Sequence, residues 1–251
     1  MGNNINSVLF RPPNPTPLHP SCRFWLTNAH GSDIPAVYFK RSGAKITILY
    51  SHANAEDLGV MFGWLKILSR RLDVNVLAYD YTGYGESKGK TSSWNWRHSS
   101  LKWTHSNLVI EGEPSEENCY ADIDAAFDHL INFRKLDPRQ IVIYGRSVGS
   151  GPATYLAERC ANSRISIGGL ILECPFKSVL RVVADVGFTV MGDKFPNIDR
   201  IPNVRWVHFL DMPDTVNLLH GNKQTFSVCF TVVRRWLFMA QKTARFLLST
   251  G

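Results

Sequence analysis

Short runs of β-branched and aromatic residues alternate with stretches of helical periodicity along most of this chain. The runs at 36–39 (Ala-Val-Tyr-Phe), 46–50 (Ile-Thr-Ile-Leu-Tyr), 74–79 (Val-Asn-Val-Leu-Ala-Tyr) and 140–144 (Gln-Ile-Val-Ile-Tyr) suit a pleated sheet and predict strands. Between them, Leu58, Met61, Phe62, Leu65 and Leu68 repeat at helical spacing over 57–71, as do Ile123, Ala126, Phe127 and Leu130 over 120–134. Further along, 168–173 and 204–210 read as strands and 178–191 as a helix. Strand and helix in alternation predict an α/β fold, a mostly parallel central sheet of about six to eight strands with helices on both faces.

Three stretches break this rhythm. Five prolines within 11–20 remove backbone donors and forbid a regular helix, so residues 1–22 read as an extended lead-in with the folded unit beginning after it. Residues 91–113, rich in Ser, Trp, His and Asn, have neither period and read as an inserted loop. The tail 222–251 carries five basic residues, no acidic one, and apolar Val232, Trp236, Met239 and Leu247. Two fates are open to it, a helix packed on the sheet or a basic amphipathic helix on a membrane surface. The body between, 23–221, reads as one domain, a size that a single α/β core can fill.

Composition narrows the function classes. The net charge of +7 is spread along the chain without a dense basic block, which argues against nucleic acid as a partner. Five scattered cysteines with no CxxC pair, and no His/Cys cluster at ligand spacing, predict a reducing cytoplasmic setting and no metal or other cofactor. No apolar run is long enough to span a bilayer, and the first residues lack a basic region followed by an apolar stretch. Gly2 invites N-myristoylation, but Asn6 fills the usual hydroxyl position and the serine comes one residue late, at Ser7.

The chemistry centres on Gly-Arg-Ser-Val-Gly at 145–149. It follows a predicted strand directly, and 150–160 then has helical character, the strand–turn–helix context that a GxSxG nucleophile elbow requires. A serine forced into a strained conformation at a sharp turn needs neighbours without side chains two residues either way, and Gly145 and Gly149 meet that need. Ser147 then presents its hydroxyl, while the Val148 N–H at the helix start faces the place where an oxyanion forms. A second oxyanion donor is expected just after the strand at 46–50, where Asn54 is the first candidate and Ala53 the next. His52, in the same segment, reads as a residue that fixes the turn rather than as a catalytic base. These features predict the α/β-hydrolase fold.

Four motifs in order resemble the α/β-hydrolase domain-containing protein 17 family: His-Ala-Asn-Ala-Glu-Asp-Leu-Gly at 52–59, Tyr-Asp-Tyr-Thr-Gly-Tyr-Gly at 79–85, Tyr-Ala-Asp-Ile-Asp-Ala-Ala at 120–126 and Tyr-Gly-Arg-Ser-Val-Gly-Ser-Gly-Pro at 144–152. Phe-Pro-Asn-Ile-Asp-Arg-Ile-Pro at 195–202 adds a fifth, so the likeness covers about 35–90 and 114–203. The resemblance implies a serine hydrolase that removes palmitate from cysteine thioesters of S-acylated proteins, or acts on small acyl esters and thioesters. It also implies a Ser-Asp-His triad and a cytoplasmic location, peripheral at membranes.

Beyond 203 the chain departs from the family pattern. The His-Gly turn that carries the acid is missing, and Asp214 is the acid candidate, with Asp211 the alternative. No histidine follows Gly221, and none of His220, His208, His98 or His105 stands where the family places its base. The family's N-terminal cysteine cluster is also absent, leaving Cys22 alone in that region. The insertion and the tail are expected to be translated non-coding sequence, which leaves the C-terminal part of the fold incomplete. Two readings stand: an active thioesterase with a recruited histidine, or a non-catalytic member that kept the fold.

Overall fold

The computed structural model describes residues 9–87, 112–183, 193–204 and 207–210. Among them seven strands form one sheet: β1 (Phe24–Thr27), β2 (Asp33–Phe39), β3 (Thr47–Ser51), β4 (Asn75–Tyr79), β5 (Ile141–Arg146), β6 (Gly169–Glu173) and β7 (Val207–Leu210). Their order is β1-β2-β4-β3-β5-β6-β7. β1 and β2 run antiparallel to their neighbours, and every pairing from β4 through β7 is parallel. Three long helices, α1 (Leu58–Leu72), α2 (Glu116–Asp128) and α3 (Ser150–Asn162), cover the sheet, with short helices α4 (Val179–Val183) and α5 (Asn197–Arg200) after β6.

Every residue of β3 and β4 is buried. That explains why these strands read as continuous apolar runs rather than alternating ones: helices pack on both faces. Ile48 and Tyr50 of β3 join Leu58, Met61 and Leu65 of α1 on one face. Leu49 joins Ile123 and Phe127 of α2 and Leu156 of α3 on the other. Side chains also start the helices. The Asp57 carboxylate accepts from the Val60 N–H at 2.9 Å and the Ser115 hydroxyl from the Asn118 N–H at 3.0 Å, each satisfying a donor the first helical turn leaves open.

A buried polar knot ties the antiparallel edge to the rest. Asp122 of α2 accepts from the Asn28 side-chain amide at 2.7 Å, the Thr82 N–H at 2.7 Å and the Thr82 hydroxyl at 2.9 Å. Asn28 lies in the β1–β2 turn and Thr82 just beyond β4, so one carboxylate fixes two turns against a helix.

Several expectations shift. β1 is absent from the predicted strands because it is four residues long and flanked by polar turn residues. The helix predicted over 120–134 starts earlier, at Glu116, and gives way to a wider turn over His129–Phe133. The main correction concerns the lead-in: the folded unit does not wait until residue 23. Phe10 is 4% exposed within the main core, and Leu18 packs against the α1 cluster. The Thr16 N–H donates to Asp57 at 2.7 Å. Proline removes donors and fixes the backbone, but it does not forbid an extended segment from burying its side chains. The predicted insertion (all but 112–113) and the divergent tail lie outside the described residues, as do 184–192, which include the end of the helix predicted over 178–191.

Candidate active site

Ser147 stands where β5 passes through a single tight turn, Ser147–Gly149, into α3. Its φ is +49°, a left-handed conformation that non-glycine residues seldom adopt. The two flanking glycines permit it. A Cβ on Gly145 would lie 2.4 Å from the Gly149 carbonyl oxygen and 2.6 Å from Ala153 Cβ. On Gly149 it would lie 2.3 Å from the Ser51 carbonyl oxygen. That second contact presses the elbow against the end of β3, so the segment after β3 and the serine are neighbours in space. The Ser150 hydroxyl donates to the Ser147 carbonyl at 2.6 Å and accepts from Asn197 at 3.1 Å, anchoring the turn to α5.

Of the three oxyanion candidates, the geometry separates one. The Ala53 N–H donates to the Glu56 carboxylate at 3.0 Å and is therefore already engaged. The Val148 N–H belongs to the first turn of a helix, whose leading N–H groups have no acceptor within the helix. Asn54 has its side chain turned toward the N-terminal segment, where it donates to the Leu9 carbonyl at 2.6 Å.

A charged network that the sequence motifs do not announce lies beneath the site. Arg146, directly before Ser147, pairs with Glu56 at 2.7 Å and with Glu173 at 3.4 Å. The Tyr144 hydroxyl donates to Glu173 at 2.7 Å. Glu56 thus holds the Ala53 amide and the elbow arginine together, one carboxylate oxygen for each. The sequence signal for it is that Arg146 and Glu173 close two neighbouring strands and stand in register.

His52 is sealed inside. It is 2% exposed and packed between Tyr81 and Tyr84, and its Nδ1 lies 2.8 Å from the Ala53 carbonyl oxygen. Nδ1 facing a carbonyl must carry the proton, so Nε2 presents a lone pair, 3.5 Å from Asp80 Oδ1. Burial pushes the His52 imidazole down to about 4 and raises the Asp80 carboxyl well above its ordinary range. The imidazole is therefore held neutral, and its bond to the Ala53 carbonyl fixes the turn.

The folded state resists protonating His52, so its contribution to stability is complete above the ordinary value of 6.5 and is lost as pH falls from there to about 4. Across that window His52 withdraws on the order of 3 kcal/mol. Urea unfolding at a series of pH values is expected to show a cost of His52→Gln that is largest near pH 7 and shrinks toward pH 4.5; a pH-independent cost would refute the buried neutral imidazole.

Asp214, Asp211, His220, His98 and His105 lie outside the described residues, and of His208 only its backbone place in β7 is described. Among the described residues no group of three His, Cys, Asp or Glu side chains is arranged to hold a metal, and no helix is long and apolar enough to cross a membrane.

The strand order, the antiparallel edge and the serine at a glycine-walled turn after β5 define an α/β-hydrolase fold. The solved structure of an alpha-beta hydrolase from Vibrio vulnificus matches it with a TM-score of 0.53 at 20% identity, over 75% of this chain and 62% of that one. No family model matches the chain. By sequence, alpha/beta hydrolase domain-containing protein 17B of Xenopus tropicalis is 36% identical over 183 residues, 72% of this chain and 54% of that protein. The human 17B protein is 34% identical over the same shares of the two chains. Over that matched part the chain is a relative of the alpha/beta hydrolase domain-containing protein 17 family, and it spans about half the length of these relatives.

Proposed function

We propose that the chain is a serine hydrolase of acyl thioesters or esters, with S-acylated protein as its substrate class. The observation that carries this reading is Ser147 held at φ +49° between two glycines that admit no side chain. Strain of this kind persists where the surroundings over-determine it, and a hydroxyl presented on a rigid turn is what nucleophilic attack on a carbonyl uses. Ser147 Oγ attacks the acyl carbon, and the Val148 and Asn54 N–H groups stabilise the oxyanion. The C–S bond breaks as the Ser147 hydroxyl proton passes by way of a recruited histidine to the leaving thiolate, and water then takes the acyl group as a carboxylic acid, returning a proton to Ser147 Oγ. Asp214 is the proposed acid that orients the base.

A fluorophosphonate probe followed by peptide mapping tests this. The expected result is a covalent adduct on Ser147, together with release of thiol from a palmitoyl thioester. The competing reading, a non-catalytic member of the fold, draws on the departure from the family pattern after residue 203, where the His-Gly turn of the acid is missing. A folded sample whose Ser147 takes no label would establish that reading and end this one.

A further inference from the structure

The proline-rich segment before β1 lies directly against the segment that carries Asn54. The Asn54 side-chain amide is held on both sides by the backbone around Phe10. It donates to the Leu9 carbonyl at 2.6 Å and accepts from the Arg11 N–H at 2.9 Å, as a peptide group of an adjoining strand would. The Tyr84 hydroxyl donates to the same Asn54 oxygen at 2.6 Å. Further along the segment, the Thr16 N–H donates to Asp57 at 2.7 Å, and Thr16 fills the space above Gly59. Both ends of the 54–57 turn are therefore fastened to the same extended segment.

Phe10 anchors it. Its ring is buried in the core, edge-on to Tyr84 at 6.5 Å and to Phe195 at 6.1 Å between centroids. Phe195 in turn occupies the space a side chain on Gly151 would need, at 2.2 Å from the would-be Cβ. Gly151 is in the first turn of α3, one helical turn beyond Ser147. Phe10 thus bridges the turn that holds Asn54 and the helix that carries the nucleophile elbow, and its neighbours Leu9 and Arg11 grip the Asn54 side chain.

We infer that residues 9–16 are a positioning element of the site: by fixing the Asn54 side chain and the ends of its turn, they set the direction of the Asn54 N–H relative to Ser147. This rests on the hydrolase reading above, since the direction of that N–H matters only if an oxyanion forms there. Rotamer and backbone freedom around Asn54 would misalign the donor without touching the nucleophile.

The test uses the full chain with Phe10→Ala, Phe10→Leu and Asn54→Ala, measuring the rate of Ser147 labelling by a fluorophosphonate and amide hydrogen exchange of peptides covering 51–58 and 120–130. Asn54→Ala keeps the backbone N–H and removes the side chain's bonds to Leu9 and Arg11 together with those to Tyr84 and Ala55, so it serves beside Phe10→Ala, which leaves the Tyr84 and Ala55 bonds in place, and stands in if Phe10→Ala fails to fold. The expected result is slower labelling by about tenfold to a hundredfold in Asn54→Ala and Phe10→Ala, less than the loss from deleting a donor outright. Exchange should rise in 51–58 and stay unchanged in 120–130, and Phe10→Leu should recover most of the rate. Unchanged exchange in 51–58, or raised exchange with an unaltered labelling rate, overturns the positioning role while the hydrolase reading stands. Absence of label on the unsubstituted chain overturns both.

Discussion

Replacing Ser147 with alanine is expected to lower thioester turnover by about 10⁴-fold or more, the usual cost of deleting a nucleophile whose partners act with it as a unit. The stability of the same variants carries independent information. Ser147 sits at φ +49°, and a Cβ in that region costs roughly 1–2 kcal/mol. Ser147→Ala keeps the Cβ and the strain, whereas Ser147→Gly removes both. Glycine inside a helix or strand is ordinarily worse than alanine by about 0.5–1 kcal/mol, because the unfolded chain gains freedom. At this position the order is expected to invert, with the glycine variant melting higher than the alanine variant and both inactive. Thermal melts and thioester hydrolysis of the pair check it. A lower melting temperature for the glycine variant would show that the elbow is unstrained, and turnover close to that of the unsubstituted chain in either would remove Ser147 from the chemistry.

That strain is legible in the amino-acid sequence itself, because the spacing of Gly145, Ser147 and Gly149 directly after a β-branched run leaves few other conformations. Strands β2 to β6 are equally legible. They are short, apolar and rich in β-branched residues, and at the centre of the sheet burial on both faces leaves no polar alternation to blur them. β1 is not, because an edge strand of four residues needs no continuous apolar run and carries Trp25 and Thr27 exposed.

The features hidden from sequence reading are tertiary. A run of prolines says that a segment is extended, not whether it lies on solvent or on a core, and Phe10 just before the run ends an apolar stretch, 8–10, too short to carry a period that would place it. In sequence Ala53 stands just behind Asn54 as a donor, because a backbone N–H leaves no trace in the side-chain pattern that would exclude it. Its engagement depends on Glu56 folding back three residues, which in turn depends on Arg146, 90 residues away, drawing the same carboxylate. The place of His52 after β3 marks it as a turn residue. Its burial and its bond to the Ala53 carbonyl give that assignment a physical basis that no spacing rule supplies.

Asp122 is expected to be the most costly polar side chain to remove from the described core. Asp122→Ala would remove the acceptor of the Thr82 N–H, the Thr82 hydroxyl and the Asn28 amide, three donors buried with it, of which only the Asn28 amide keeps another partner, the Thr82 hydroxyl at 3.2 Å. Each unsatisfied donor costs about 1–3 kcal/mol, so a total of roughly 3–5 kcal/mol is expected after local relaxation. The pH dependence distinguishes this from a packing defect. Burial pushes the Asp122 carboxyl up to about 7 against the pull of its hydrogen-bond donors. A raised carboxyl stabilises the folded state most below its ordinary value of 3.8, and that contribution fades as pH rises through about 7. The cost of Asp122→Ala should therefore be greater at pH 5 than at pH 8, the reverse of the trend for His52→Gln. Over the window from about 4 to 6.5 the two groups oppose each other, so each substitution exposes a slope that the other partly hides in the unsubstituted chain. Urea unfolding of the two variants across pH 4.5–8 measures both slopes. Parallel slopes would mean that one of the two groups is solvated in the folded protein.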